Sequence, residues 1–196
     1  MKSRLYPYRK GFPPRIRFVH RAGEGYRHYI ETTWFGIPFM KIDERYIDGT
    51  AVMELPFGTF TGAEIDQGAN LALWAEAIWF PSIWVTDPRI RWEGVDEETA
   101  ILYVPFAGGE QSFVIRFDPV TGFLSHLESM RYKSAEADGK TLWLNVAYEW
   151  QELNGRLTMT RAGVVWLDEG TPWAVFTLDD IVYNSDIEEY LRTKGP

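Results

Sequence analysis

Glu76 sits in the most chemically suggestive setting of the chain, inside Leu71-Ala72-Leu73-Trp74-Ala75-Glu76-Ala77-Ile78-Trp79, where every other residue is apolar. A carboxylate withdrawn from water has its pKa raised toward the range useful to a general acid or base. The structural alternative is that it is paired with an arginine, or reaches water at the edge of a covered helix, because an isolated buried charge is too costly to keep. Arg161, in phase with Leu157 and Met159 on an otherwise apolar strand face, is a candidate partner, as are Arg89 and Arg91. Trp74, Trp79, Trp84 and Trp92 cluster around the same segment, and aromatics so placed either pack as core or wall a ligand. The candidate ligand-binding set is therefore Trp74, Glu76, Trp79, Trp84, Arg91, Trp92 and Arg161, with Glu76 the one candidate catalytic group.

Other residue types exclude more than they offer. His20 and His28 fall in neighbouring predicted strands and can approach each other, but no third ligand is evident and His126 is remote in sequence; neither a metal nor another cofactor is expected. Asp179 and Asp180 are adjacent on a strand and point to opposite faces, which argues against a shared proton. Ser112 and Ser125 lie in no nucleophile elbow, and no glycine-rich loop precedes a helix to cradle phosphate. The absence of cysteine rules out disulfides and thiolate chemistry. A net charge of −8 and a pI near 5.0 oppose the basic surface that nucleic acids or anionic membranes require. The basic start, Met1 to Lys10, runs into Gly11-Phe12-Pro13-Pro14-Arg15 instead of an apolar stretch, so no export signal is read. No run of about 18 apolar residues occurs, so no membrane span is read, and a cytoplasmic location is expected.

The elements that must position these groups are mostly strands. Aromatic residues make up 16% of the chain and favour pleated surfaces. Residues 1–14 are basic and Pro-rich and read as an arm; residues 15–196 read as a single domain. Strands are predicted over 15–21, 26–34, 37–43 and 50–56, then 89–95, 99–106, 111–118, 123–132, 141–153, 156–168 and 173–183. Asp48-Gly49 and Asn154-Gly155 are turn dipeptides that accept the positive φ of two-residue hairpins. In 142–150 the alternation predicts Leu142, Leu144, Val146, Tyr148 and Trp150 on the core face. Between the two strand groups, 67–80 is predicted helical, started by Asp66 and stopped before Pro81. Apolar residues lie nearly all round it, which a helix tolerates only when most of its surface is covered. Ser185-Asp186-Ile187-Glu188 is a capping-box pattern for a short C-terminal helix. About ten antiparallel strands must curl, which predicts a mainly β fold, an incomplete barrel wrapped on the central helix.

These motifs resemble a family of uncharacterised bacterial proteins with an acidic helix start, an Ala-Glu-Ala-x-Trp-hydrophobic-Pro helix end and a strand carrying Arg-Trp-Glu. Here they are Asp66, Ala75-Glu76-Ala77-Ile78-Trp79-Phe80-Pro81 and Arg91-Trp92-Glu93, with Phe117-Asp118, Met130-Arg131-Tyr132 and Asp180-Ile181-Val182-Tyr183-Asn184 further on, and weakly Tyr46-Ile47-Asp48-Gly49 upstream. The element order is also similar to the half-barrel of periplasmic lipoprotein carriers, a resemblance that implies a curved sheet and helical lid able to hold acyl chains. The leading functional expectation is non-catalytic binding of a hydrophobic or lipid-like small molecule in the concave face. The alternatives are an enzyme of hydrolase or isomerase type using Glu76, and a structural or protein-interaction domain with a filled core.

Overall fold

The computed structural model describes residues 2–7, 15–34 and 37–194, with side chains for 16–32 and 40–194. Among the described residues thirteen strands form one antiparallel sheet. In chain order they are β1 (Lys2–Pro7), β2 (Arg15–Arg21), β3 (Gly25–Trp34), β4 (Ile37–Ile47), β5 (Thr50–Leu55) and β6 (Gly58–Phe60), followed after the helical segment by β7 (Arg91–Gly94), β8 (Thr99–Phe106), β9 (Gly109–Phe117), β10 (Leu124–Tyr132), β11 (Lys140–Leu153), β12 (Arg156–Trp166) and β13 (Pro172–Asp180). Their spatial order, β6-β5-β4-β3-β2-β1-β13-β12-β11-β10-β9-β8-β7, joins two meanders through the β1–β13 pair. β6 and β7 are the edges of this open sheet, and the helical segment runs from one edge to the other.

Thirteen strands exceed the ten or so expected, partly because residues 2–7, read from the sequence as part of an arm, form β1 in mid-sheet. Its backbone pairs with both β2 and β13, filling the ladder positions that the two meanders would otherwise leave open. Residues 8–14 of the expected arm lie outside the described residues. The predicted hairpin turns are present: Asp48 and Gly49 have φ of 53° and 80°, and Asn154 and Gly155 of 53° and 73°, the left-handed conformations that Asx and Gly residues adopt at least cost.

The helical segment comprises α1 (Ala63–Ala75), a 3-10 turn (Glu76–Trp79) and α2 (Ile83–Thr86). α1 begins a turn earlier than predicted, and Asp66 is not its cap; its Oδ1 accepts the Ala51 N–H at 2.6 Å and ties the helix to β5. Every residue from Gln67 to Ala75 is buried, as the all-round apolar pattern requires. Among the described residues no helix is long and apolar enough to cross a membrane.

The C-terminal helix α3 (Glu188–Arg192) starts after Ile187; Asp186 Oδ1, not the expected Ser185, accepts the Glu188 N–H at 3.2 Å. On β3, Arg27 is fully buried and grips Asp43 bidentately at 3.0 and 2.7 Å. The same guanidinium donates to Tyr190 O and Thr193 Oγ1 at 3.0 Å, which ties the C-terminal segment to the sheet.

β11 faces the opposite way from its prediction. Trp143 is buried, Trp143 and Asn145 point into the concavity, and Tyr148 is 40% exposed. Large apolar residues stand on both faces, Leu142 and Leu144 on one and Trp143 on the other, so alternation misplaced the buried face. Register shifts around Glu149 then change the phase, which returns Trp150 to the core side.

Candidate functional site

The helical segment does not fill the concavity. A cavity of about 620 Å³ lies between α1 with its 3-10 turn and the sheet. Ala72 and Ala75 explain part of the space, because the helix presents only methyl groups there. The walls are Ile30, Ile42, Met53 and Leu55 from one meander, and Leu127, Met159, Val164 and Phe176 from the other. Lys133 and Trp173 line the cavity and are also exposed, which marks where it meets solvent.

One wall carries polar donors without acceptors. Arg131 on β10 and Trp143 and Asn145 on β11 all line the cavity, and Arg131 Nε, Trp143 Nε1 and Asn145 Nδ2 are buried without a hydrogen-bond partner among the described residues. Arg131 lies over the Trp143 ring at 4.4 Å and the Trp166 ring at 5.8 Å. No ion pair of Arg131 occurs among the described residues. Its setting is specific. The Gln67 side chain donates to Met130 O at 2.9 Å and accepts from Tyr132 N at 3.2 Å, clamping the strand on either side of Arg131. A Cβ at Gly68 would stand 3.0 Å from Arg131 Nε, so the glycine leaves room for the guanidinium. Burial lowers the Arg131 pKa, opposed by the charge of Glu44, but a guanidinium stays charged at any ordinary pH.

A second polar group joins the β2–β3 hairpin to the helix. Glu76 Oε2 lies 2.6 Å from His20 Nε2 and 2.9 Å from His28 Nε2. Tyr26 donates to Glu44 Oε1, and Glu44 Oε2 faces His28 Nδ1 at 3.9 Å. Burial alone would raise the Glu76 pKa, but His28 and His20 outweigh it and hold it at about 2. Burial lowers the pKa of His20 against the pull of Glu76, and raises that of Tyr26, with Glu44 adding to the rise.

Of the residues singled out from the sequence, Glu76 and Trp79 line the cavity. Trp74, Trp84 and Trp92 pack together on another side of the helix, where Trp84 Nε1 donates to Trp74 O at 3.1 Å and Trp92 Nε1 to Trp84 O at 2.8 Å. The expected arginine partners of Glu76 are elsewhere. Arg161 pairs with Glu149 at 3.1 Å, with both side chains nearly half exposed. Arg91 is exposed, pairs with Glu110 at 3.1 Å and lies over the Tyr103 ring. Arg89 pairs with Asp87. The partners of Glu76 are histidines because the hairpin register places both on the helix side. Arg131 was missed, although it is in phase with the buried Leu127 and Ser129 on one face of β10.

A mainly β half-barrel wound on a central helix, with an apolar cavity between them, is the class that the fold and site define. The chain belongs to the family of unknown function DUF6544, whose model matches residues 9–178. Among solved structures, a LolA superfamily protein from Nitrosomonas europaea is similar over 98% of this chain and 87% of its own, at 10% identity and a TM-score of 0.51. A DUF1329 family protein from Desulfovibrio piger is matched over 95% of this chain and 85% of its own, at 13% identity and a TM-score of 0.48. No curated protein matches the chain. At such identity the LolA superfamily likeness concerns the fold alone, and that fold is the half-barrel described above.

Proposed function

We propose that the protein is a non-catalytic binding module for a lipid-like molecule with an anionic head group. The observation that carries this reading is the set of three donors without an acceptor among the described residues, Arg131, Trp143 and Asn145, on the wall of a mainly apolar cavity. Buried donors without acceptors are costly, and a carboxylate or phosphate oxygen would satisfy them. The cavity volume of about 620 Å³ lies within the range of small-molecule sites. An apolar chain would lie among Ile30, Ile42, Met53 and Leu55, with its head at Arg131. A catalytic role for Glu76 is less well supported, since a carboxyl group held at about pKa 2 is neither a good acid nor a good base near neutrality.

Trp79, Trp143 and Trp166 line the cavity, so a fatty acid brominated in mid-chain should quench a saturable part of the tryptophan fluorescence at one molecule per chain. Quenching that rises linearly, without saturation, would reject the reading.

A further inference from the structure

We infer that His20, His28 and Glu76 bind one divalent transition-metal ion at a site open to the cavity. The three donors come from separate places that the fold alone brings together. In the β2–β3 hairpin, His20 is opposite Tyr26 and His28 opposite Phe18, so the two histidines are diagonal neighbours on one face, with ring centroids 5.6 Å apart. The first residue of the 3-10 turn sets Glu76 against them, and one ligand atom from each of the three lies within 4.8 Å of the others. The contacts of Glu76 Oε2, at 2.6 and 2.9 Å, are near the separation of roughly 3 Å that metal–ligand bonds of about 2.1 Å impose on adjacent donors at right angles.

His20 supplies an independent observation. Its side chain is only 7% exposed, yet Nδ1 has no hydrogen-bond partner among the described residues and the contact of Nε2 is the one with Glu76. The Nε2 atom has the carboxylate oxygen of Glu76 at 2.6 Å. The lone pairs of ligands in a coordination site converge on one ion, so the three groups stand close together, as His20, His28 and Glu76 do. Behind His28, the carboxylate of Glu44, itself anchored by Tyr26, faces Nδ1 at 3.9 Å, too far for a hydrogen bond but close enough to act through its charge. A carboxylate on that side favours the tautomer whose Nε2 is free to ligate.

Two imidazoles and one carboxylate form a nitrogen and oxygen set, suited to zinc or ferrous ions rather than to copper(I), and leave coordination positions open. His28 and Glu76 line the cavity, so those positions face it. The ion is not required by the proposed lipid binding, and either reading stands without the other.

The test uses the untagged, metal-stripped 196-residue chain, titrated with ZnCl2 by calorimetry and with CoCl2 by visible absorption. One equivalent should bind at micromolar concentration or tighter, and Glu76→Gln and His20→Asn should each weaken binding by at least about 100-fold, a ligand loss costing no less than loss of an outer-shell partner. His126→Asn, beside Ser125 on β10, should change nothing. If a ligand variant does not fold, X-ray absorption of the wild-type cobalt form must show imidazole scattering from two histidines. No binding by folded wild type at millimolar zinc would overturn the inference. So would zinc binding that survives both ligand substitutions in folded protein, or a cobalt form without imidazole scattering.

Discussion

Arg131→Met separates a guanidinium placed for a ligand from one that holds the fold together. Methionine keeps a long unbranched side chain against Trp143 and removes the charge. An unpaired buried ion costs several kcal/mol after relaxation, and exchanging buried charges for apolar groups is often neutral or stabilising by about 1–4 kcal/mol. Against this stands the stacking of Arg131 over Trp143 at 4.4 Å, worth about 1–2 kcal/mol. The free variant should therefore unfold in urea with a stability between about 2 kcal/mol below and about 3 kcal/mol above wild type. Its affinity for a fatty acid should fall, because hydrogen bonds to a charged group contribute about 1.5–3 kcal/mol, which is roughly 10- to 100-fold in Kd. Affinity for the alcohol of the same chain length should barely change. A destabilisation of about 3–5 kcal/mol, the mark of a broken buried pair, would refute the reasoning, as would equal losses for acid and alcohol.

Three further outcomes follow from the packing and electrostatics. Leu73→Ala, at a position 2% exposed within the wrapped helix, should cost about 2–5 kcal/mol in urea unfolding; a loss below about 0.5 kcal/mol would place Leu73 at the surface. Asp43→Asn should destabilise by about 3–5 kcal/mol by leaving the Arg27 charge buried without its carboxylate, and calorimetry of the variant checks it. Glu76 has its folded pKa depressed from 4.5 to about 2, so its contribution is complete above pH 4.5 and is lost as pH falls toward 2. The depressed pKa of His20 acts in the same direction, removing stability as pH falls below its unfolded value of 6.5. Stability measured by urea from pH 7 to 3 should fall steadily, and Glu76→Gln should flatten the part below pH 4.5; an unchanged slope in that variant would show that Glu76 is not the titrating group.

The strands were legible because their turns were. Asp48-Gly49 and Asn154-Gly155 dictate two-residue hairpins wherever they stand between extended runs, and the all-round apolar helix could only be a wrapped one. What alternation could not give was the inward face of β11, where Leu142, Leu144 and Val146 compete with Trp143 and Ala147, and where shifts around Glu149 alter the phase. Glu76 was recognisable by its setting, but its partners depend on hairpin register and helix placement together, which no local pattern encodes. Nothing local distinguishes Arg131 from other strand arginines, because Gln67, Gly68 and Trp143, which surround it, come from other elements.

The account rests on the head group that the cavity accepts, and isothermal titration of the wild-type chain with dodecanoate, 1-dodecanol and dodecyltrimethylammonium, each below its micelle-forming concentration, tests it most directly. The prediction is one site per chain, dodecanoate bound roughly 10- to 100-fold more tightly than the alcohol, and the cationic chain bound least. Absence of binding by all three would contradict the account, and so would a cation held as tightly as the carboxylate, since that would make Glu44 and Glu76, and not Arg131, the charges that a ligand meets.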